Sequence, residues 1–155
     1  MNRSARFSDC RKYRFLLWRQ WDCTKISIMF IGLNPSTANE TEDDATIRRV
    51  IGFAKKWGYG AVYMANLFPF ISTDPKKLED CMFIGENDVI IKVAASFCSE
   101  VIFAWGSFDQ AKPRVEAMQR YFQKAKALII NKDGSPRHPL YCPYTLSPMI
   151  YNQSS

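Results

Sequence analysis

The residues best suited to chemistry sit in the short polar run Gly32-Leu33-Asn34-Pro35-Ser36 and around the only histidine, His138. Asn34 precedes a proline, which pushes its backbone toward an extended conformation and away from helix. Its amide offers one acceptor and two donors, and Ser36 adds a hydroxyl. An ordinary turn accounts for the same residue types, since Asn-Pro and Ser are common in turns. Asn66 offers a second amide, able to meet the edge of a nucleobase or to cap a backbone group. Phe68 and Phe70 follow it and could stack on a ring, although core packing is the commoner fate of phenylalanine. His138 lies between prolines in Pro136-Arg137-His138-Pro139, a loop-like setting that suits a functional side chain. Asp43, Asp44 and Arg48 form a charged cluster that helix capping and surface pairing also explain. The sequence has no glycine-rich phosphate loop, no Ser-His-Asp order and no cysteine in an evidently nucleophilic setting.

These residues need elements to hold them, and the chain alternates strand and helix patterns. Residues 26–31 form a short β-rich apolar run, expected to be a buried strand. Ile47, Val50, Ile51, Ala54 and Trp57 recur at helical spacing, with Asp43 or Asp44 as cap and Gly58 as terminator. A second strand is expected over 61–65, followed by a loop over 68–85 whose length makes it a functional candidate. A helix over 86–98 places Val89, Ile90, Val93, Ala94 and Phe97 on its inner side, with Cys98 a buried small hydrophobe. A third strand at 101–104, a helix at 112–124 with Pro113 in its first turn, and a fourth strand at 127–130 complete the pattern. Residues 13–21 interleave aromatics with arginines, as an edge strand or a nucleotide-stacking clamp would.

Alternating strands and helices imply a single α/β domain over 1–155, a three-layer αβα sandwich with a central four-stranded, mainly parallel sheet. In such sheets ligands bind beyond the carboxyl ends of the strands. Residues 32–36, 66–68, 105–107 and 131 onward are therefore expected to converge.

Twenty-one basic against fifteen acidic residues give a net charge of +6. That balance suits a polyanionic partner such as nucleic acid or a nucleotide, and equally serves solubility. No apolar run reaches the roughly 20 residues needed to cross a bilayer, and the polar N-terminus has no secretory pattern. A cytoplasmic protein with no membrane partner is expected. The five cysteines are widely spaced without a CxxC pair, which argues against a disulfide framework or compact zinc site. No metal or cofactor is expected, an iron–sulfur cluster drawn from distant cysteines being the alternative.

In their order along the chain, these residues resemble the uracil-DNA glycosylase superfamily. Phe30-Ile31-Gly32-Leu33-Asn34-Pro35-Ser36 is similar to its first motif, whose mismatch-specific branch carries Gly-Ile-Asn-Pro. Ala65-Asn66 is similar to its base-reading asparagine, and Val101-Ile102-Phe103-Ala104-Trp105-Gly106 to its strand ending in Leu-Trp-Gly. Arg137-His138-Pro139-Leu140 is similar to its His-Pro-Ser-Pro-Leu motif. More closely, Ile31 through Asn66-Leu67-Phe68-Pro69, with residues 133–141, resembles a bacterial and phage family catalogued as a domain of unknown function, number 1643.

The superfamily resemblance implies cleavage of an N-glycosidic bond. His138 would donate a hydrogen bond to charge gathering on the departing base. Asn34 would position water through its carbonyl, Asn66 would read an extruded base, and Phe68 would stack on it. Gly32, Leu33, Pro35 and Ser36 would shape the pocket, with Asp43, Asp44, Arg48, Trp105 and Arg137 in support. The second motif lacks the superfamily's phosphate-gripping serine, and Leu140 or Tyr141 stands where a base-prying wedge would be. The substrate class thus stays open among modified bases, single strands and free nucleotides. A non-catalytic nucleotide- or nucleic-acid-binding module is the alternative, and a protein adaptor acting through the basic aromatic N-terminus a third.

Overall fold

The computed structural model describes residues 1–75 and 82–151. Residues 76–81, within the expected 68–85 loop and including Cys81, lie outside the described residues, as do 152–155. Seven strands form one mixed sheet: β1 (Asn2–Phe7), β2 (Arg14–Gln20), β3 (Ser27–Gly32), β4 (Ala61–Asn66), β5 (Cys98–Phe103), β6 (Lys126–Ala127) and β7 (Met149–Ile150). Their spatial order is β1-β2-β4-β3-β5-β6-β7. Neighbouring strands among β4, β3, β5 and β6 pair in parallel, while β1, β2 and β7 join antiparallel at the two sides. The expected four-stranded sheet is thus corrected to seven. Residues 14–20 are not an edge strand, because β1 covers them. That polar strand lacks the apolar run that marks a buried strand, and the two-residue β7 is too short to show any period.

Alternation along β3 explains the layers, since successive side chains of a strand point to opposite faces. Ile28 and Phe30 meet α1 (Ala45–Lys56), packing with its Ile47, Val50 and Phe53. Met29 and Ile31 face α2 (Ile84–Ala95) and α3 (Lys112–Tyr121), meeting Ile91, Ala94 and Met118. Helices thus cover both faces, the arrangement that buries parallel strands on both sides.

The ends of α1 follow the sequence signals. Asp44, rather than Asp43, is the cap, its side chain accepting the Ile47 N–H at 2.9 Å. Gly58 sits at φ +86° just past the C-cap Trp57, a conformation that favours glycine.

The inner face of α2 differs from the expected stripe. Val89, Val93 and Phe97 are exposed, while Asn87, Asp88, Ile90, Ile91 and Ala94 are buried. Polar bonds set this rotation. Asn87 Nδ2 donates to the Asn66 carbonyl at 2.9 Å, and Asp88 takes a bidentate ion pair from Arg114 of α3. Arg114 Nε also donates to the Leu67 carbonyl, tying both helices to the end of β4. Cys98 begins β5 instead of ending a helix, and its half-buried thiol is pushed up to about 12 by desolvation. The fourth strand shrinks to Lys126–Ala127, with Ile130 making only an isolated bridge to Pro136.

Candidate functional site

The parallel strands run in the order β4-β3-β5-β6, so successive connections from β3 and β4 lead to opposite sides of β3. The carboxyl ends at such a switch point leave a crevice. A cavity of about 130 Å³ occupies it, lined in part by Gly32, Leu33, Asn34, Pro35, Ser36, Asn66 and His138. Asp44, Thr46, Arg14, Phe108 and Pro75 complete the polar and aromatic parts of its wall. The three residues singled out for chemistry, Asn34, Asn66 and His138, therefore share one enclosure. A larger groove of about 850 Å³ follows Cys98–Val101 and residues 120–126, away from these groups.

Each of the three is held by specific bonds. Asn34 Nδ2 donates to the carbonyls of Pro35, at 3.1 Å, and Ser72, at 2.7 Å, which fixes the amide and leaves Oδ1 as its acceptor. Ser72 N–H returns a bond to the Pro35 carbonyl, folding the segment after Phe70 over the turn. Asn66 is buried at the end of β4. Its fit depends on Gly32 opposite, where a Cβ would lie 3.0 Å from Asn66 Nδ2 and 2.9 Å from Met64 Cε.

His138 caps a 3-10 turn, Pro139–Tyr141, with Nδ1 accepting the Leu140 N–H at 3.2 Å. An imidazole that accepts at Nδ1 carries its proton on Nε2, so the neutral ring is a donor there. Burial pushes the His138 pKa below its ordinary value, with the nearby Asp44 charge a smaller opposing influence. The ring is therefore neutral at pH 7. Arg49 of α1 positions this turn, donating to the carbonyls of Pro139 and Cys142 at 3.2 and 2.5 Å. Gly106, at φ +80°, lets the chain after β5 pass His138, and a Cβ there would meet the Phe108 ring at 3.1 Å.

Other expected site residues stand elsewhere. Phe68 does not line the cavity. Its N–H continues the β3–β4 ladder to the Leu33 carbonyl, and the side chain is buried in the core. The aromatic ring in the wall is Phe108 instead. Trp105 is core, tilted against Phe103 and edge-on to Tyr151. Asp43 pairs with the fully buried Arg19 at 2.8 Å and with Arg3 at 3.5 Å. Burial opposes its charge, but these arginines outweigh it and hold the carboxyl below its usual range. Arg19 also donates to the carbonyls of Asn39 and Glu42, so this pair fixes the loop that delivers Asp44. Arg48 donates to the Asp43 carbonyl, and Arg137 to Asn131 Oδ1, outside the cavity. Leu140 and Tyr141 are exposed beside His138, Tyr141 at 75 %.

Arg14 is the charged wall residue that sequence reasoning missed. Along the β1–β2 ladder Arg6 faces Leu16 but Phe7 faces Arg14, so Phe15 is an extra residue, a β-bulge. A bulge reverses the pleat's parity and re-aims the side chains beyond it. Arg14 thus joins Leu17 in the cavity wall. Only 3 % exposed, it donates from Nη1 to the Ala38 carbonyl at 3.1 Å and from Nη2 to Asn66 Oδ1 at 3.3 Å. Its Nε is buried without a partner. Burial lowers its pKa to about 10, with Asp44 acting in the opposite sense, so it stays protonated at neutral pH.

Among the described residues no group of three or more His, Cys, Asp or Glu is placed to hold a metal ion, and no helix is long and apolar enough to cross a membrane. No curated protein and no solved structure matches the chain. A family model described as protein of unknown function (DUF1643) matches residues 14–140. The chain belongs to that family, and the match takes in every residue of the cavity named above.

Proposed function

We propose that this cavity receives a nucleobase and that the protein hydrolyses, or at least recognises, the N-glycosidic bond attached to it. The observation that carries this reading is the meeting of Asn34, Asn66 and a neutral His138 in one enclosure at the carboxyl ends of parallel strands. The four parallel strands with helices on both faces fit a uracil-DNA glycosylase-like sandwich. In the reaction the C1′–N bond breaks and its electron pair goes to the base. Water then adds its oxygen to the cationic sugar carbon, releasing a proton to solvent. His138 Nε2–H donates to the charge growing on the base as a preorganised dipole. Asn34 Oδ1 orients the water without accepting its proton. Phe108 offers the stacking face, and the exposed Tyr141 stands at the rim as the wedge for a flipped base. The net charge of +6 suits a nucleic acid or nucleotide met in the cytoplasm.

Incubating the protein with base-modified oligonucleotides and nucleotides should release free base, and Asn34→Ala and His138→Ala should each lower the rate at least tenfold. No release from any member of the panel would refute hydrolysis. A second reading, a non-catalytic binding module, draws on Asn34 itself, since an amide supplies no proton-accepting base. Tight binding without turnover would favour it.

A further inference from the structure

One cation in the cavity wall lacks the partner that its kind has elsewhere in the fold, and its role deepens the nucleobase reading, on which it rests. Three arginines are buried among the described residues. Arg19 pairs with Asp43 and Arg114 with Asp88. Arg14 has no carboxylate within ion-pair distance among the described residues, and Asp44, in the same wall, supports it only through its field. Its bonds go to the Ala38 carbonyl and to Asn66 Oδ1, and its Nε has none. A cation buried on those terms opposes folding, and an apolar side chain of similar length would serve the core as well or better. The one side chain that Arg14 bonds is the amide placed to read a ligand.

The two ends of an asparagine amide are nearly equal in shape and opposite in hydrogen bonding, so an unheld amide reads a ring in either sense. A guanidinium has donors only. Facing Oδ1 it makes a bond, whereas facing Nδ2 it would set donor against donor, a difference of about tenfold or more between the two orientations. Arg14 therefore holds Oδ1 toward itself, at 3.3 Å. That oxygen keeps a second lone pair for a ligand, and Nδ2 bonds no described residue. Beside Nδ2 stands Gly32, where a Cβ would lie 3.0 Å away, so the absent side chain leaves the donor open to the cavity that both residues line. Acceptor and donor thus stand side by side in a fixed order. We infer that Arg14 is the specificity-determining residue of this cavity: acting through Asn66, it fixes the order of donor and acceptor that a bound ring must present in return. The ligand class is a heterocycle with a hydrogen-bond donor and an acceptor on adjacent ring positions.

Uracil and cytosine are matched probes, alike in shape and opposite in order along one edge: N3–H and O4 in uracil, N3 and N4–H2 in cytosine. Titration calorimetry of the full chain with the two free bases should give affinities that differ by about tenfold or more, the sign reporting which order the amide presents. Arg14→Met replaces the lone cation with an apolar chain of similar length and should fold. It frees the amide to turn, so the two affinities should come to within about threefold of each other. Arg14→Gln can show either amide atom to Asn66, and should do the same if Arg14→Met proves unstable. An arginine with a structural role alone would weaken both bases together and leave their ratio unchanged. Equal affinities in the unsubstituted protein, or a ratio that survives in either folded variant, would overturn the assignment. Failure of both variants to fold would mark Arg14 as structural and overturn it as well. If neither base binds while base-modified oligonucleotides still release base, the Arg14 assignment fails alone. If base is neither bound nor released, the nucleobase reading fails with it.

Discussion

Replacing Gly32 with alanine sets a single methyl group against the amide of Asn66. The added Cβ would stand 2.9 Å from Met64 Cε and 3.0 Å from Asn66 Nδ2. The methionine tip is flexible and yields. Asn66 is not free to do so, being held by Arg14 at 3.3 Å and, through its carbonyl, by Asn87 at 2.9 Å. Relief by a few tenths of an ångström stretches the Arg14 contact past hydrogen-bond range. Losing a bond with a charged donor costs about 1.5–3 kcal/mol, and the stiffer unfolded chain returns about 0.4–1 kcal/mol. The balance is a destabilisation of about 1–2 kcal/mol, or a Tm lower by about 2–8 °C for a domain of this size. Urea unfolding should show a lower midpoint at unchanged slope. In an Arg14→Met background the penalty should shrink, because the bond it breaks is already gone. Full additivity of the two substitutions, or a Gly32→Ala protein as stable as the wild type, would refute the reasoning.

Three further outcomes follow from the same geometry. The sole histidine gives one set of imidazole NMR signals, and their titration midpoint should fall below 6.5 and drop further in Asp44→Asn, which keeps a side-chain cap but removes the charge. Because folding lowers this pKa, the unfolded chain binds more protons. Stability should therefore decline as pH falls from the unfolded value through the folded one, and a midpoint above 6.5 would contradict the burial argument. Arg114→Ala strands the buried Asp88 and frees the Leu67 carbonyl, so chemical denaturation should show a loss of about 3–5 kcal/mol. Gly106→Ala combines a positive φ with a 3.1 Å approach to Phe108, and a thermal melt should register a loss of about 1–2 kcal/mol.

Much of the frame was legible because period and punctuation agree in it. β3 and β4 announce themselves as apolar runs, α1 by its stripe and by Gly58, and the strand-end rule alone brings Asn34, Asn66 and His138 together. Two of the failures share a cause, namely that polar bonds overrode local pattern. Val89, Val93 and Phe97 make a plausible inner stripe, yet burying Asp88 against Arg114 turns α2 away from it. Phe68 looks free to stack, yet its backbone bond to Leu33 draws it into the core and leaves the wall to Phe108. Strict alternation along 14–20 would aim Arg14 with Leu16 and Trp18, toward α2. Nothing in the composition of that strand marks Phe15 as the residue that breaks the count.

That extra residue gives the cavity an unusual vulnerability. Pleat parity has two values, so its errors are all-or-none. Pairing Phe15 rather than Arg14 with Phe7 would restore strict alternation and send Phe15 to the wall in place of Arg14, leaving the parallel strands and their helices in place. The lost cation would uncover the Asn66 oxygen and leave Asp44 without its balancing charge. A one-residue shift of register in an outlying hairpin would thus change which ligand the domain accepts, with every residue on the parallel strands unchanged.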